Sequence, residues 1–303
     1  QPCSSAASDV YKRQMYVNLE PCCHQGKTPP CVDKVISSGI SKVFISIQDP
    51  DIRVSGKSIK LLKEAGIQVH LGLCKKESLD LNKAFIHRNI NKKAFGVLKW
   101  AMSIDGRIGL KNGKSKWISS EASRSLVHSF RAEFDAIIIG GNTLRKDNPL
   151  LTTRGGKNPE PLRVVFTKSL DLPSKSNLWD CSNAKTLVIY DSSTANESYL
   201  KRIPKCVEVK KISSDNPELI SKILANRGCN KVLWECGPSL ATSAIKANCI
   251  QEINTFIAPK ILGGEKSMNP FGDFEFNEMD ETIKLIDPLV SLIGNDICVK
   301  SSL

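Results

Sequence analysis

"PPCVDKVISSGISKVFISI", Pro29 to Ile47, decides the fold class. Two prolines open the stretch, where a missing N–H costs a helix nothing; Val32, Val35 and Ile36 then recur at helical spacing, and Gly39 supplies the stop. "KVFISI" follows as a short apolar run rich in β-branched residues and reads as a buried strand. Working outward, "MYVNL" from Met15 reads as a strand, "KSIKLLKEAG" as a helix stopped by Gly66, "IQVHLGL" as a strand and "KESLDLNKAFIHRNI" as a helix. Strand and helix in alternation imply a parallel sheet with crossover helices on its faces.

Residues 1–14, "QPCSSAASDVYKRQ", carry neither period and read as a non-native segment, translated adapter sequence ahead of the true chain. At the other end of this block the polar and basic "NINKKAFG", Asn89 to Gly96, ends the helical pattern. We therefore expect a first domain over 15–93 and a second over 94–303, as a length of 303 residues allows at roughly 150 residues per domain. The second repeats the α/β pattern: strand "GVLKWAM", helix "SSEASRSLVHSFRAEF", strands "DAIIIG", "LRVVF" and "TLVIY", helix "NPELISKILANRG", strand "KVLWE", helix "PSLATSAIKAN" and strand "INTFIA".

Composition excludes several classes. Apolar residues make up 41% of the chain, enough for buried cores, and no apolar run or charged-then-apolar leader points to a membrane or to secretion, which favours the cytoplasm. Eleven cysteines is an odd count, and several stand in apolar runs such as "KVLWEC", so reduced buried thiols fit better than a disulfide framework. A net charge of +12 invites nucleic acid, but the basic residues are dispersed and aromatics are only 6%. A basic pocket for phosphorylated ligands fits as well.

Two stretches carry chemistry. "EPCCHQGKTPPC", Glu20 to Cys31, sets cysteines and a histidine between a strand and a helix start, where the helix dipole favours a thiolate. Zinc, a disulfide and coincidental buried thiols are the three readings, and adjacent Cys22 and Cys23 would not both reach one ion. Zinc nucleobase deaminases use H-x-E followed by P-C-x-x-C; here Pro21–Cys22 is present, with eight residues before Cys31. "KVLWECGPSLATSAI" places Gly237 and Pro238 between a strand and a helix N-terminus, either an ordinary turn or an anion site. "GLKNGKS", Gly109 to Ser115, is one residue short of a phosphate loop, and no G-x-G-x-x-G occurs.

"LEPCCHQGKTPPC", with "KWAMSIDGRIG", "SKWIS", "GGNTLRKDNPLLTTR", "WECGPSLA" and "FIAPKILGG" following in order, resembles the bifunctional riboflavin-biosynthesis deaminase/reductase family, RibD. The resemblance runs from Met15 to the C-terminus. It implies a cytidine-deaminase-like first domain, incomplete here, and a dihydrofolate-reductase-like second domain. Cys22 and Cys31 are the implied zinc ligands, Cys23 and His24 not. The family's third ligand and proton shuttle, an H-A-E motif, lies upstream of the cysteines, whereas none of His24, His70, His87 and His128 precedes Cys22. The resemblance thus implies reduction of 5-amino-6-(5-phosphoribosylamino)uracil by NADPH, with zinc-dependent deamination belonging to a longer parent.

Residue by residue, the resemblance assigns Lys99, Asp147 and Glu235 to orienting the sugar and moving protons. Ser115, Arg131, Leu151, Arg154 and Glu235 would hold the phosphoribosyl pyrimidine. Trp100, Trp117, Thr143, Asp147, Gly237, Pro238 and Ser239 would line the cofactor, and Lys168 stands where relatives carry a small hydroxyl residue. Relatives assemble through the reductase domain, which implies a homo-oligomer, with neither nucleic acid nor membrane as partner. Taken singly, Arg131 reads equally as a solvated helix charge, and Asp147 and Asp105 as turn formers. A reductase with a purely structural front domain and a basic RNA-binding deaminase relative are the rival readings.

Overall fold

A computed structural model describes residues 13–26 and 28–303; the non-native reading of residues 1–14 falls almost wholly outside them. The chain divides into two compact units, one ending at Asn91 and one running from Lys92 to Leu303, within the junction at Asn89–Gly96. Among the described residues no helix is long and apolar enough to cross a membrane.

The first unit holds three parallel strands in order β1 (Gln14–Leu19), β2 (Lys42–Ile47), β3 (Gln68–Leu71). Its helices are α1 (Cys31–Ser37), α2 (Lys57–Glu64) and α3 (Lys75–Asn91). The alternation in β2 turns Val43, Ile45 and Ile47 inward, where the first two meet Val32 and Val35 of α1 and Leu62 of α2. Glu20 is a structural anchor that sequence reasoning missed. Buried after β1, its carboxylate accepts the N–H groups of Gly56, Ser58 and Ile59 at 2.9, 3.1 and 3.3 Å, satisfying the start of α2, which has no side-chain cap of its own.

The second unit is built on β4 (Phe95–Ser103), β5 (Ala136–Gly140), β6 (Leu162–Thr167), β7 (Thr186–Asp191), β8 (Glu208–Ile212), β9 (Lys231–Trp234), β10 (Glu252–Ala258), β11 (Ile286–Ile293) and β12 (Asp296–Ser302). They form one sheet in the order β11-β12-β10-β4-β9-β5-β6-β7-β8, parallel except where β12 meets its two neighbours. Its helices are α4 (Glu121–Arg131), α5 (Gly141–Asp147), α6 (Pro217–Asn226) and α7 (Pro238–Lys246). The expected α/β class holds. The sequence reading passed over α5, β8, β11 and β12. A further tie it missed is Asp296, which accepts Ser120 N–H at 2.7 Å and Ser123 O–H at 2.6 Å, fastening β12 to the start of α4.

The winding makes a crevice. After β4 the chain lays β5 to β8 outward in one direction, then returns to insert β9 between β4 and β5 before placing β10 on the far side of β4. Ligands in open α/β sheets bind beyond the strand carboxyl ends at such a reversal. The centre is apolar: Leu98, Ile138, Val164, Ile189 and Trp234 are buried within one cluster with Ala241 and Ala244 of α7. At Gly96 of β4 an added Cβ would fall 1.9 Å from the Cys249 carbonyl oxygen and 3.0 Å from the Trp234 ring nitrogen. Gly96→Ala is therefore expected to cost about 3 kcal/mol through forced backbone displacement, measured as a lowered urea midpoint.

Candidate active site

A cleft of about 490 Å³ opens at the carboxyl ends of β4, β5, β6 and β9. Lys99 and Trp100 come from β4, Gly140 ends β5, Thr167 ends β6, Glu235 to Gly237 form the turn after β9, and Pro238 and Ser239 open α7. Thr143 and Asp147 come from α5, and Ser115 from the loop between β4 and α4. Nine of the residues assigned from the sequence thus meet here: Lys99, Trp100, Ser115, Thr143, Asp147, Glu235, Gly237, Pro238 and Ser239.

At the inner end, Glu235 and Arg131 form a two-pronged ion pair. Arg131 Nε donates to one carboxylate oxygen at 2.7 Å and its Nη2 to the other at 3.0 Å, with both side chains only about a tenth exposed. Burial alone would push the Glu235 carboxyl up, but the charges of Arg131 and Lys99 reverse this and bring it down to about 2. Burial lowers Lys99, partly offset by Glu235, while Arg131, opposed by burial, is raised by the same carboxylate. Glu235 is thus a fixed anion, and Lys99 an ammonium that gives up its proton more readily than usual. Cys236, next in the chain, is pushed up to about 12 by burial and stays a thiol.

Arg131 is therefore no solvated helix charge. Its fork is taken by Glu235, and its remaining nitrogen, Nη1, donates to the Thr152 carbonyl at 3.3 Å and lies 3.4 Å from His128 Nδ1. Arg154 is exposed and makes no ion pair among the described residues. Its charge lies close enough to act on His128, which burial, Arg131 and Arg154 together hold below its ordinary value. Leu151 is buried at the start of the same loop; Leu151 and Arg154 both have positive φ, +53° and +56°, a strained state for non-glycine residues worth roughly 1–3 kcal/mol each.

The outer wall suits an anionic ligand. Gly237 precedes helix α7 with no side-chain cap, and Pro238 at its first position has no N–H, so the N–H groups of the residues that follow, Ser239 and Leu240, remain available to a ligand. A Cβ at Gly237 would meet nothing closer than Thr143 Oγ1 at 4.0 Å, so its open side gives onto space. Arg145, Lys146 and Lys168 line the cleft, with Lys168 paired to Asp215. Trp117 departs from expectation: it is 62% exposed, is not among the lining residues, and its ring lies under the Arg124 guanidinium, 4.5 Å away.

Missed in the sequence was the wider part played by Asp105. It stands in the expected turn with Gly106, yet its carboxylate also accepts the N–H groups of Leu262 and Gly263 at 3.1 and 2.7 Å, fixing the loop after β10. Only the two N–H contacts, remote in sequence, reveal this.

In the first unit the Cys31 N–H donates to Cys22 Sγ at 3.3 Å, and hydrogen bonding with Cys22 leads the rise of the Cys31 thiol. Two thiols do not complete a catalytic zinc site, which takes three protein ligands, and among the described residues no group of three ligand-type side chains gathers. Cys23 turns into the apolar cluster, and the Glu20 carboxylate is occupied at α2. All ten described cysteines are unpaired; Cys229, Cys249 and Cys298 are buried, while Cys74 and Cys206 are exposed rather than buried as expected.

The model of the RibD C-terminal domain matches residues 94–299. Over 283 residues the chain is 43% identical to the riboflavin biosynthesis protein RibD of Synechocystis sp., covering 93% of this chain and 77% of that protein. It is 39% identical to the chloroplastic riboflavin biosynthesis protein PYRR of Arabidopsis thaliana, covering 95% of this chain and half of that protein. Among solved structures, Acinetobacter baumannii RibD superposes with a TM-score of 0.84 at 28% identity, over 96% of this chain and 82% of that one. A diaminohydroxyphosphoribosylaminopyrimidine deaminase/5-amino-6-(5-phosphoribosylamino)uracil reductase from Thermotoga maritima does so at 0.81 and 30%, over 95% and 78%.

The ion pair makes its own prediction. Arg131→Met leaves a buried carboxylate short of its partner and should cost roughly 3–5 kcal/mol. Arg131→Met with Glu235→Leu removes both charges and should recover about half of that loss or more. Chemical denaturation of the parent protein, the two single variants and the double variant measures the cycle.

Proposed function

This chain belongs to the RibD family of riboflavin-biosynthesis proteins, and we propose that its Lys92–Leu303 unit reduces 5-amino-6-(5-phosphoribosylamino)uracil with NADPH, opening the ribose to a ribityl chain. The observation that carries this reading is the meeting, in one cleft, of an ionised Glu235 and an acidified Lys99 with the uncapped helix N-terminus that follows Glu235 in the chain. NADPH, when bound, supplies the hydride for the sugar's anomeric carbon.

The chain's own groups do the rest. The N–H groups at the start of α7, with the hydroxyls of Thr143 and Ser239, fit the pyrophosphate, and the basic rim favours an anionic cofactor. Trp100 supplies an apolar surface beside them. Glu235, permanently charged, accepts hydrogen bonds from sugar hydroxyls and holds the ring in one orientation. Lys99, its proton loosened by burial, is suited to protonate the ring oxygen as the ring opens. Asp147, across the cleft, takes a sugar hydroxyl, with Ser115 beside it. The substrate phosphate is assigned to Arg154; Arg154, Arg131 and Leu151 are not among the residues that line the cleft, and Arg131 reaches it through Glu235. Deamination needs a third metal ligand and a free carboxylate, which the described residues do not bring to Cys22 and Cys31, so no such step is assigned.

The same unit is suited to pair with a second copy. Strand β11 is outermost in its sheet, and Leu289, Val290 and Leu292 are 70%, 68% and 74% exposed. An apolar edge strand is a template for association unless covered. Light scattering of the eluting protein should give a dimer or a multiple of it, and Leu289→Asp with Leu292→Asp should give monomers.

The activity is tested by supplying the deaminated phosphoribosyl pyrimidine and following loss of NADPH absorbance, which should be substrate-dependent. Glu235→Gln and Asp147→Asn should each lower kcat about 100-fold while leaving NADPH affinity within about threefold. Absent oxidation, or unchanged kcat in both variants, contradicts the proposal.

A further inference from the structure

Between Leu151 and Pro161 the chain runs out in a loop and returns to start β6, and one carboxylate on the returning arm organises the outgoing one. Glu160 accepts the Thr153 N–H at 2.7 Å on one oxygen. On the other it accepts the Thr153 hydroxyl at 2.8 Å and the Gly155 N–H at 3.3 Å. The two N–H groups bracket Arg154, whose φ is +56°. Thr153 is itself buried and serves as a hub: its carbonyl accepts Gly156 N–H at 3.3 Å and its hydroxyl accepts Lys157 N–H at 3.1 Å.

A left-handed conformation is costly for a non-glycine residue, so hydrogen bonds that tie the backbone on either side help to hold it. Here one side chain supplies both ties. The conformation it imposes also sets the direction in which the Arg154 side chain leaves the backbone. That direction matters because Arg131, the other arginine of this corner, has its fork committed to Glu235. Arg154 is the cation of the pair left exposed to solvent.

We propose that Glu160 is a positioning residue for substrate recognition: by clamping the backbone on both sides of Arg154 it aims that guanidinium at the substrate's phosphate monoester. The inference rests on the reading of Arg154 given above and deepens it. Glu160 touches no substrate. Its charge also reaches Arg131, which Glu235 already holds, so its effect on KM passes through Arg154 and depends on the phosphate.

Steady-state kinetics with the phosphoribosylamino substrate and with its dephosphorylated ribosylamino counterpart provide the test, using the full chain with Glu160→Gln, Arg154→Ala and both together. The amide of Glu160→Gln presents one acceptor where the carboxylate presents two. It should raise KM for the phosphorylated substrate about tenfold, leave kcat within about twofold, and leave the dephosphorylated substrate's KM unchanged. In the Arg154→Ala background it should add nothing. Glu160→Asp, which keeps the charge, should restore part of the loss. Equal effects on both substrates, a further KM rise in the Arg154→Ala background, or a silent Glu160→Gln beside an effective Arg154→Ala overturns the inference alone. If Arg154→Ala leaves the phosphate preference intact, the phosphate reading of Arg154 falls, and this inference with it.

Discussion

A carboxylate in a protein interior must find positive charge or take up a proton, and Glu235 is where this chain meets that constraint. Desolvation is the largest single influence on it, and the charges of Arg131 and Lys99, with the Arg131 hydrogen bonds and the smaller effect of His128, together outweigh it. Arg131 arrives from the last turn of α4, Lys99 from the middle of β4, and Glu235 itself from the end of β9. The three charges therefore bring together two strands and a helix that are widely separated in sequence. It also determines what the corner can do chemically, since it keeps Glu235 from serving as an acid and occupies the fork of Arg131.

The winding of the sheet makes that meeting possible. Because β9 is inserted late between β4 and β5, its terminal turn emerges beside the middle of β4 and the end of β5. Close packing keeps the three in register: Gly96 lets the Cys249 carbonyl approach, and Trp234, fully buried, fills the sheet beneath Glu235. Glycines at the ends of β5 and β9 then start α5 and α7 with no side-chain cap at either helix. Polarity is consequently divided within a single cleft, with charged groups on the floor and backbone donors on the wall.

Much of this was legible in the sequence because strong local signals marked it. Apolar runs bounded by proline and glycine identified α1, α6, α7 and most strands, and the stretch around Gly237 located the helix start that opens into the cleft. Weakly amphipathic elements were not legible. Strand β8 buries one residue of five, β11 carries Pro288 and lies almost wholly exposed, and α5 begins at a glycine and is only seven residues long. Long-range pairing was equally hidden. Nothing local to Arg131 distinguishes a surface charge from the partner of a carboxylate 104 positions later, and the spacing of Asp105 from Gly263 or of Asp296 from Ser120 carries no periodic trace. Trp117 shows the opposite failure, a motif residue whose ring is turned to an arginine outside the cleft.

The measurement that bears most directly on this account is the titration of the Glu235 carboxyl carbon by NMR, in protein labelled at glutamate and assigned by comparison with Glu235→Gln. A carboxylate enclosed by Arg131 and Lys99 should show no protonation between neutral pH and the ordinary glutamate range, with its midpoint at about 2 if the fold survives that far. A midpoint at or above about 4.3, the value of an unperturbed glutamate, would mean that the cations do not outweigh burial, and the central claim would be wrong.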